Sequence, residues 1–358
     1  APNEQATEHA RIVKRLLGEA AEGVDVTSHP APQVLGYRTR ARVHVETTRK
    51  DHVNVGMFGR RSHEPAVVDT CVVLDPALDR ARASLATLLL GAKGKGEAHL
   101  ALGKDRRAVI DLHFRGELPG AIFGRLERAT NEGQLAGARV FEGDVRTPAK
   151  IGDPTPIIEG ADGLPLRLAM GGFAQASEQG NKRLASHVAE LARSLVAEGS
   201  KEAGLCVELY AGAGNLTILL ARDRPSLVAV EQDKEACAIA RENLAARGLS
   251  GRVVETDAST FTLPKGTSLV VLDPPREGAR AVAEALAQMP AKKAPAIVYV
   301  ACDPPTLARD VKILVQSGNY DVRRVDTFEM FPQTSHVETV VLLSPRAQRQ
   351  PAQPAEPG

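Results

Sequence analysis

Tryptophan is absent from this chain, and aromatic residues make up only 3% of it. Hydrophobic residues still reach 43%, so a core of ordinary size has to be built from aliphatic side chains and alanine. Cysteine is scarce as well. Cys71, Cys206, Cys237 and Cys302 lie far apart, with no CxxC pair among them. That spacing argues against a zinc site or a local dithiol, so no metal is expected and a reduced, cytoplasmic protein is the simplest reading. No apolar run approaches the ~18 residues of a membrane span, and no basic-then-apolar leader is present, so no membrane partner is expected. The start at Ala1 in place of Met reads as a processed or trimmed one. Charge of one sign is also lacking overall, at a net +1. It is concentrated locally: Gly36 to Ser62 carries Arg38, Arg40, Arg42, Arg49, Lys50, Arg60 and Arg61 against Glu46 and Asp51. Such a stretch is either a solvated strand face or a nucleic-acid contact.

At 358 residues the chain has room for two domains of roughly 150 residues each. Residues 1–23 are predicted to form an N-terminal helix, with Ile12, Val13, Leu16 and Leu17 at helical spacing. From 24 to 170, short alternating segments (40–46, 52–58, 107–114, 120–126) are split by Gly, Pro and Asp, with one helix near 76–90. That pattern predicts a mainly antiparallel β (α+β) domain. From 171 to 344 strands alternate with helices, which predicts a parallel α/β sheet of Rossmann-like type. Two closing strands, at 320–326 and 336–343, predict an antiparallel finish. The proline-rich stretch 345–358 reads as a disordered tail.

The run Val207-Glu208-Leu209-Tyr210-Ala211-Gly212-Ala213-Gly214-Asn215 is a strand entering a glycine turn and then a helix. Gly212 and Gly214 let the backbone approach a ligand, and a helix N-terminus offers free N–H groups. Glu231, at the end of the next strand, is placed to accept hydrogen bonds from ribose hydroxyls. This suits NAD or S-adenosylmethionine (SAM). Thr217 stands where a dinucleotide fingerprint wants its third glycine, and Glu208 would crowd a pyrophosphate but suits the cationic end of SAM. SAM is therefore the expected cofactor. Asp257 follows the next strand, either as an adenine contact or as an ordinary turn or N-cap residue.

Two further strands end in unusual turns. Val270-Val271-Leu272 runs into Asp273-Pro274-Pro275-Arg276, where the prolines fix φ and make a rigid lip beneath the Asp273 carboxylate. Ile297-Val298-Tyr299-Val300-Ala301 stops at Cys302, followed by Asp303-Pro304-Pro305 and a helix from about Thr306. A thiol at a parallel strand's carboxyl end faces the ligand crevice, and the following helix N-terminus is expected to raise its thiolate fraction. Cys302 is the candidate nucleophile; the other three cysteines read as inert. Glu338, an acid in an otherwise apolar strand, is the candidate base. His336, two residues earlier, is expected on the same strand face as a satisfied polar residue.

These motifs carry a resemblance. Phe173-Ala174-Gln175, Glu208 to Asn215, Leu272 to Gly278, Cys302 to Asp310 and Phe331 to Glu338 follow in the order seen in SAM-dependent RNA 5-methyluridine methyltransferases, the bacterial tRNA and 23S rRNA uracil-C5 enzymes. The resemblance implies methyl transfer to uridine C5 through a Cys302–C6 adduct, with Glu338 removing the C5 proton and Asp273 orienting the ring. It implies SAM contacts from Gln175, Tyr210, Gly212, Asn215, Glu231, Asp257 and Asp273. It also implies RNA held by the β-rich domain, with Arg38, Arg40 and Arg42 as contacts, in a monomeric enzyme. Many members carry an OB-like domain and a four-cysteine iron–sulfur site. No OB-like segment is read here, and Cys71 lacks three upstream partners, so no cluster is expected. Cys71 stands at the last ligand's position, which tilts the expected substrate toward rRNA over tRNA. Ala301 and Ser177 replace a serine and an asparagine common in the family, changes that bear on substrate fit. The competing readings are a tRNA enzyme, a vestigial RNA-binding protein on the same fold, and a cytidine-C5 enzyme. The last normally shows a second cysteine, which the Asp273 turn lacks.

Overall fold

The computed structural model describes residues 2–49, 52–58, 65–195 and 204–346. Lys50, Asp51, Arg60, Arg61 and Ser62 of the basic segment and the predicted tail from 347 onward lie outside the described residues. The chain divides into two compact units: Pro32–Lys182, and Ala1–Ala31 together with Arg183–Gly358.

The helices are α1 (Pro2–Leu17), α2 (Pro76–Leu88), α3 (Gly120–Asn131), α4 (Glu178–Ser194), α5 (Thr217–Asp223), α6 (Lys234–Ala245), α7 (Arg280–Ala287) and α8 (Pro304–Gln316). The strands begin with β1 (Val26–His29), β2 (Arg40–Arg49), β3 (His52–Phe58), β4 (Pro65–Val67), β5 (Lys93–Leu102) and β6 (Ala108–Glu117). They continue with β7 (Leu135–Glu142), β8 (Ala149–Gly152), β9 (Ile157–Glu159), β10 (Pro165–Arg167), β11 (Leu205–Leu209) and β12 (Leu227–Glu231). The last are β13 (Arg252–Glu255), β14 (Thr267–Leu272), β15 (Ala296–Ala301), β16 (Tyr320–Phe328) and β17 (Glu338–Pro345).

In the Pro32–Lys182 unit the sheet order is β4-β3-β2-β5-β6-β7-β8, antiparallel except for β6 and β7. Those two run parallel because α3 crosses over between them. The predicted strand at 120–126 is in fact the start of α3. Its buried residues Ile122, Leu126 and Ala129 recur with a helical period, which the short alternation of small residues masked. The glycine-rich β5 was not anticipated from sequence either.

The other unit carries the sheet β1-β16-β17-β15-β14-β11-β12-β13. Strands β11 to β15 are parallel, and β17 enters antiparallel to both β15 and β16. β15 is buried along its whole length, which its β-branched, apolar sequence requires of a central strand. Three boundaries differ from expectation. The N-terminal helix does not stand apart: Val13 and Leu17 of α1 enter the same core as Val311 and Leu314 of α8. Pro345 pairs with Tyr320, so the last strand continues into the predicted tail. The division between units falls inside α4 rather than at Gly171-Gly172.

A buried acid ties three elements together. Asp326 on β16 is fully buried. Its oxygens lie 2.9 Å from His29 Nε2 on β1 and 3.1 Å from His187 Nε2 on α4, and Arg324 donates to both at 2.7 and 3.0 Å. Burial alone would raise its pKa, but hydrogen bonds from His187, His29 and Arg324 hold it far below the usual carboxylate range. Its stabilising effect is therefore complete above the unfolded value near ~3.9 and lost as pH falls below that. Asp326→Ala is expected to cost about 3 kcal/mol in urea unfolding at neutral pH, and less in acid.

Candidate active site

The sheet order reverses between β11 and β14, and ligands of open α/β sheets bind outside the strand carboxyl ends at such a point. After β11, Tyr210 takes φ 65°, rare for a non-glycine residue, and Gly212 and Gly214 follow at φ 55° and 91°. A Cβ on Gly212 would meet nothing within 4 Å, so the turn borders open space. The turn is held from below: Asn243 on α6 donates Nδ2 to Ala213 O at 2.9 Å, and Gly212 N donates to Glu231 Oε2 at 2.9 Å. Glu231 Oε1 also accepts from the N–H groups of Gln232 and Asp233 at 2.8 Å each. Asn243 was not anticipated from sequence; nothing in its local pattern separates it from any polar helix residue.

Glu208 sits one residue before the end of β11 and is 2% exposed. Its Oε2 has no hydrogen-bond partner. Burial pushes its pKa up to about 8, with hydrogen bonding from Thr217 opposing and Asp273 adding to the rise. A buried carboxyl oxygen without a partner, beside a glycine turn with open space above it, fits the cationic amino-acid end and close backbone approach that SAM demands. Asp257 is exposed, and hydrogen bonds from Ser259 lower its pKa, so here it closes its own turn. Gln175 belongs to the Pro32–Lys182 unit, where it is buried with Oε1 unpartnered.

The three side chains expected from sequence to react lie at the ends of β14, β15 and β17. Leu272 pairs with Tyr299, so Asp273 leaves its strand beside β15. Ala301 pairs with Thr339 at the end of this antiparallel ladder; Cys302 follows β15 directly and Glu338 opens β17, near enough for its charge to act on the thiol. Glu338 is 2% exposed. Burial pushes the Cys302 thiol up to about 11, with Glu338 and Asp273 adding and Arg276 opposing. The helix N-terminus was expected to favour thiolate; desolvation and two acidic neighbours outweigh it. Burial also pushes Asp273 up to about 7. The helix after the thiol starts earlier than predicted, because Asp303 caps it: Oδ1 accepts from Thr306 N at 3.0 Å, and Pro304 and Pro305 occupy the first turn. His336 is exposed and lies before β17, off the strand face expected for it.

Two supports escaped the sequence reading. Asp310 on α8 is fully buried, and its Oδ2 accepts from Tyr299 Oη at 2.7 Å and Ala279 N at 2.8 Å. Arg309 donates to Asp310 Oδ1 at 2.8 Å and to Glu277 O at 2.9 Å, and Thr306 Oγ1 donates to Arg276 O at 3.1 Å. These bonds fasten the Asp273–Ala279 turn to the helix that follows Cys302. Gly278, at φ 77°, is required there, since a Cβ would stand 2.6 Å from Asp310 Oδ2. The second support comes from α1. His9 lies 2.7 Å from Glu329, and Gln5 donates to Glu329 Oε2 at 3.0 Å and to Thr334 O at 2.9 Å. They brace the segment leading to Glu338.

This sheet, with a glycine turn after one strand and an acid closing the next, is that of a SAM-dependent methyltransferase. The pattern of the methyltransferase small domain matches residues 180–298, and that of the tRNA (Uracil-5-)-methyltransferase family matches residues 257–346. The chain is 32% identical over 351 residues to the 23S rRNA (uracil(1939)-C(5))-methyltransferase RlmD of Pseudomonas entomophila, covering 92% of this chain and 74% of that protein. The RlmD of Halomonas elongata is also 32% identical, over 95% of this chain and 72% of its own length. The chain belongs to the RNA uracil-C5 methyltransferase family. Its fold matches the tRNA (uracil-54, C5)-methyltransferase of Pyrococcus abyssi, crystallised with S-adenosyl-L-homocysteine, at a TM-score of 0.76 and 22% identity, over 96% of this chain and 84% of that one.

Two outcomes are expected. Glu338→Gln removes a neighbouring negative charge, so alkylation of Cys302 at a fixed pH near 8, followed by peptide mass mapping, should quicken by roughly threefold or more. Asp310→Asn leaves buried donors imperfectly paired, so it should cost about 1–3 kcal/mol in urea unfolding. It should also lower turnover more than it weakens SAM binding.

Proposed function

We propose that the chain methylates C5 of a uridine in 23S rRNA, with Cys302 as nucleophile and Glu338 as the base. What supports this is the end of the β15–β17 ladder, where Cys302 leaves β15 and Glu338 opens β17, with Asp273 at the neighbouring strand end. The rRNA assignment leans on relatives at about 30–32% identity that are named for that substrate.

Uracil C5 is a weak nucleophile. The Cys302 thiol first gives its proton to solvent; the thiolate then forms a bond to C6, and the displaced π electrons move onto C5 and O4 as an enolate. The chemistry SAM supplies when bound is an activated methyl group for C5. Glu208, the Gly212 turn and Glu231 would hold it, with Tyr210 as a further contact. Once C5 carries both methyl and hydrogen, Glu338 takes the C5 proton, the C5=C6 bond re-forms and the C6–S bond breaks, restoring the thiolate. A carboxyl buried to 2% exposure, shielded from bulk water, suits that role. Asp273 would orient the ring through its polar edge. The uridine has to leave its stack to reach the crevice.

The test is tritium release from RNA labelled at uridine C5, run with unmodified bacterial 23S rRNA and with tRNA. SAM-dependent release from rRNA is expected, and Cys302→Ala should bring it to background. Release from tRNA alone would transfer the activity to that substrate. Full release by Cys302→Ala would contradict the nucleophile assignment.

A further inference from the structure

The sheet of the Pro32–Lys182 unit has two unlike faces. One is apolar: Val43, Leu100, Leu112 and Val140 are buried in the core beneath α2 and α3. The opposite face alternates out of that core and bears Arg42, Lys95, Arg115 and Lys150, all exposed. Only Glu46 and Glu117 are similarly exposed acids among the described residues on its central strands. The unit as a whole holds twenty-two Lys and Arg against eighteen Asp and Glu, a net +4, while the rest of the chain is at −3.

The ladder register sharpens the contrast. Lys95 on β5 stands directly opposite Arg115 on β6, and Arg139 on β7 stands opposite Lys150 on β8. Like charges directly opposite each other weaken a ladder; Lys95 also faces Glu46 on its other side, across the β2–β5 ladder, whereas the opposed Arg115 has no such acid in its ladder register. Arg139 is neutralised within the fold by Asp111, which accepts two bonds from it at 2.9 Å. Lys95 and Arg115 have no ion-pair partner among the described residues. A cavity of about 710 Å³ lies above them, with His99 and His113 and the acids Glu46, Glu97 and Asp144 also in its wall. His99, Asp111 and His113 place donor atoms within 4.8 Å of one another, but the Arg139 fork already balances the carboxylate and leaves little call for a metal cation.

Two of the arginines named from sequence are otherwise engaged. Arg40 donates to the carbonyls of Gly172 and Ala174, and Arg38 donates to Arg40 O. Arg42, paired only loosely with Glu97 at 3.5 Å, remains on the open face.

We propose that this open sheet face, centred on Lys95 and Arg115, is a docking surface for the phosphate backbone of the RNA substrate. It rests on the reading of RNA as substrate. Phosphates would satisfy the opposed cations, and binding would be sequence-independent and salt-sensitive.

The experiment compares filter binding of in-vitro-transcribed 23S rRNA across a salt series by three forms of the full chain. They are the wild type, Lys95→Glu/Arg115→Glu, and Arg80→Glu/Arg128→Glu. The last makes the same charge change on exposed positions of α2 and α3, behind the sheet. Melting temperature and SAM binding by calorimetry verify that each variant is folded. The face variant is expected to bind at least tenfold more weakly, with a salt slope shallower by roughly 1–2, and the control within about twofold of wild type. Equal weakening of both variants would assign the effect to net charge and overturn the proposal. So would an unchanged face variant, whether or not light scattering shows an altered oligomeric state. Wild type that binds no RNA would instead overturn the RNA reading itself.

Discussion

The chemistry of this chain depends on one ladder, the antiparallel pairing of β17 with the last parallel strand, β15. It ends with Ala301 opposite Thr339, so that Cys302 is the next residue after one strand and Glu338 opens the other. A slip of one residue would send Glu338 to the other face of the sheet and part the pair. Much of the second unit serves that register. Asp326 locks β16, the other neighbour of β17, to β1 and α4, while Gln5 and His9 of α1 brace the segment that feeds β17. The N-terminal helix thus supports the segment before Glu338 from the far end of the chain.

The same crevice is electrostatically costly. Glu208, Asp273 and Glu338 crowd one desolvated region with Cys302, and burial raises the pKa of Glu208 to about 8 and of the thiol to about 11. The groups are poised to carry protons. A site of this kind is quiet toward solvent and becomes reactive when a ring and a cation replace water around it, which guards the thiol against adventitious chemistry. The rigid Asp273-Pro-Pro lip, fastened through Asp310 to the helix after Cys302, keeps the two strand ends at fixed spacing during that exchange.

The catalytic strands were legible because their chemistry is local. A strand ending in Cys302-Asp-Pro-Pro or in Asp273-Pro-Pro carries its own stop signals, and alternation of strands with helices specifies the parallel sheet. What the sequence concealed was either long-range or a matter of degree. The pairing of β1 with β16 and the role of α1 join residues some three hundred positions apart, and no local period encodes them. Short alternation in 120–126 imitated a strand until the burial of Ile122, Leu126 and Ala129 revealed a helix. The thiol's direction of shift was misjudged because a helix N-terminus is visible in sequence and desolvation is not. Arg38 and Arg40 read as RNA contacts by composition, yet Arg40 spends its guanidinium on backbone carbonyls.

The most direct measurement is a trap. RNA carrying 5-fluorouridine presents a C5 substituent that Glu338 cannot remove as a proton, so the Cys302–C6 bond should persist after methyl transfer. With SAM present, a denaturation-stable protein–RNA species whose nucleotide-bearing peptide contains Cys302 is the expected result. A stable adduct mapped to any other residue, or methylation of ordinary uridine RNA with no adduct ever trapped, would contradict the pairing of Cys302 with Glu338 as the centre of the chemistry.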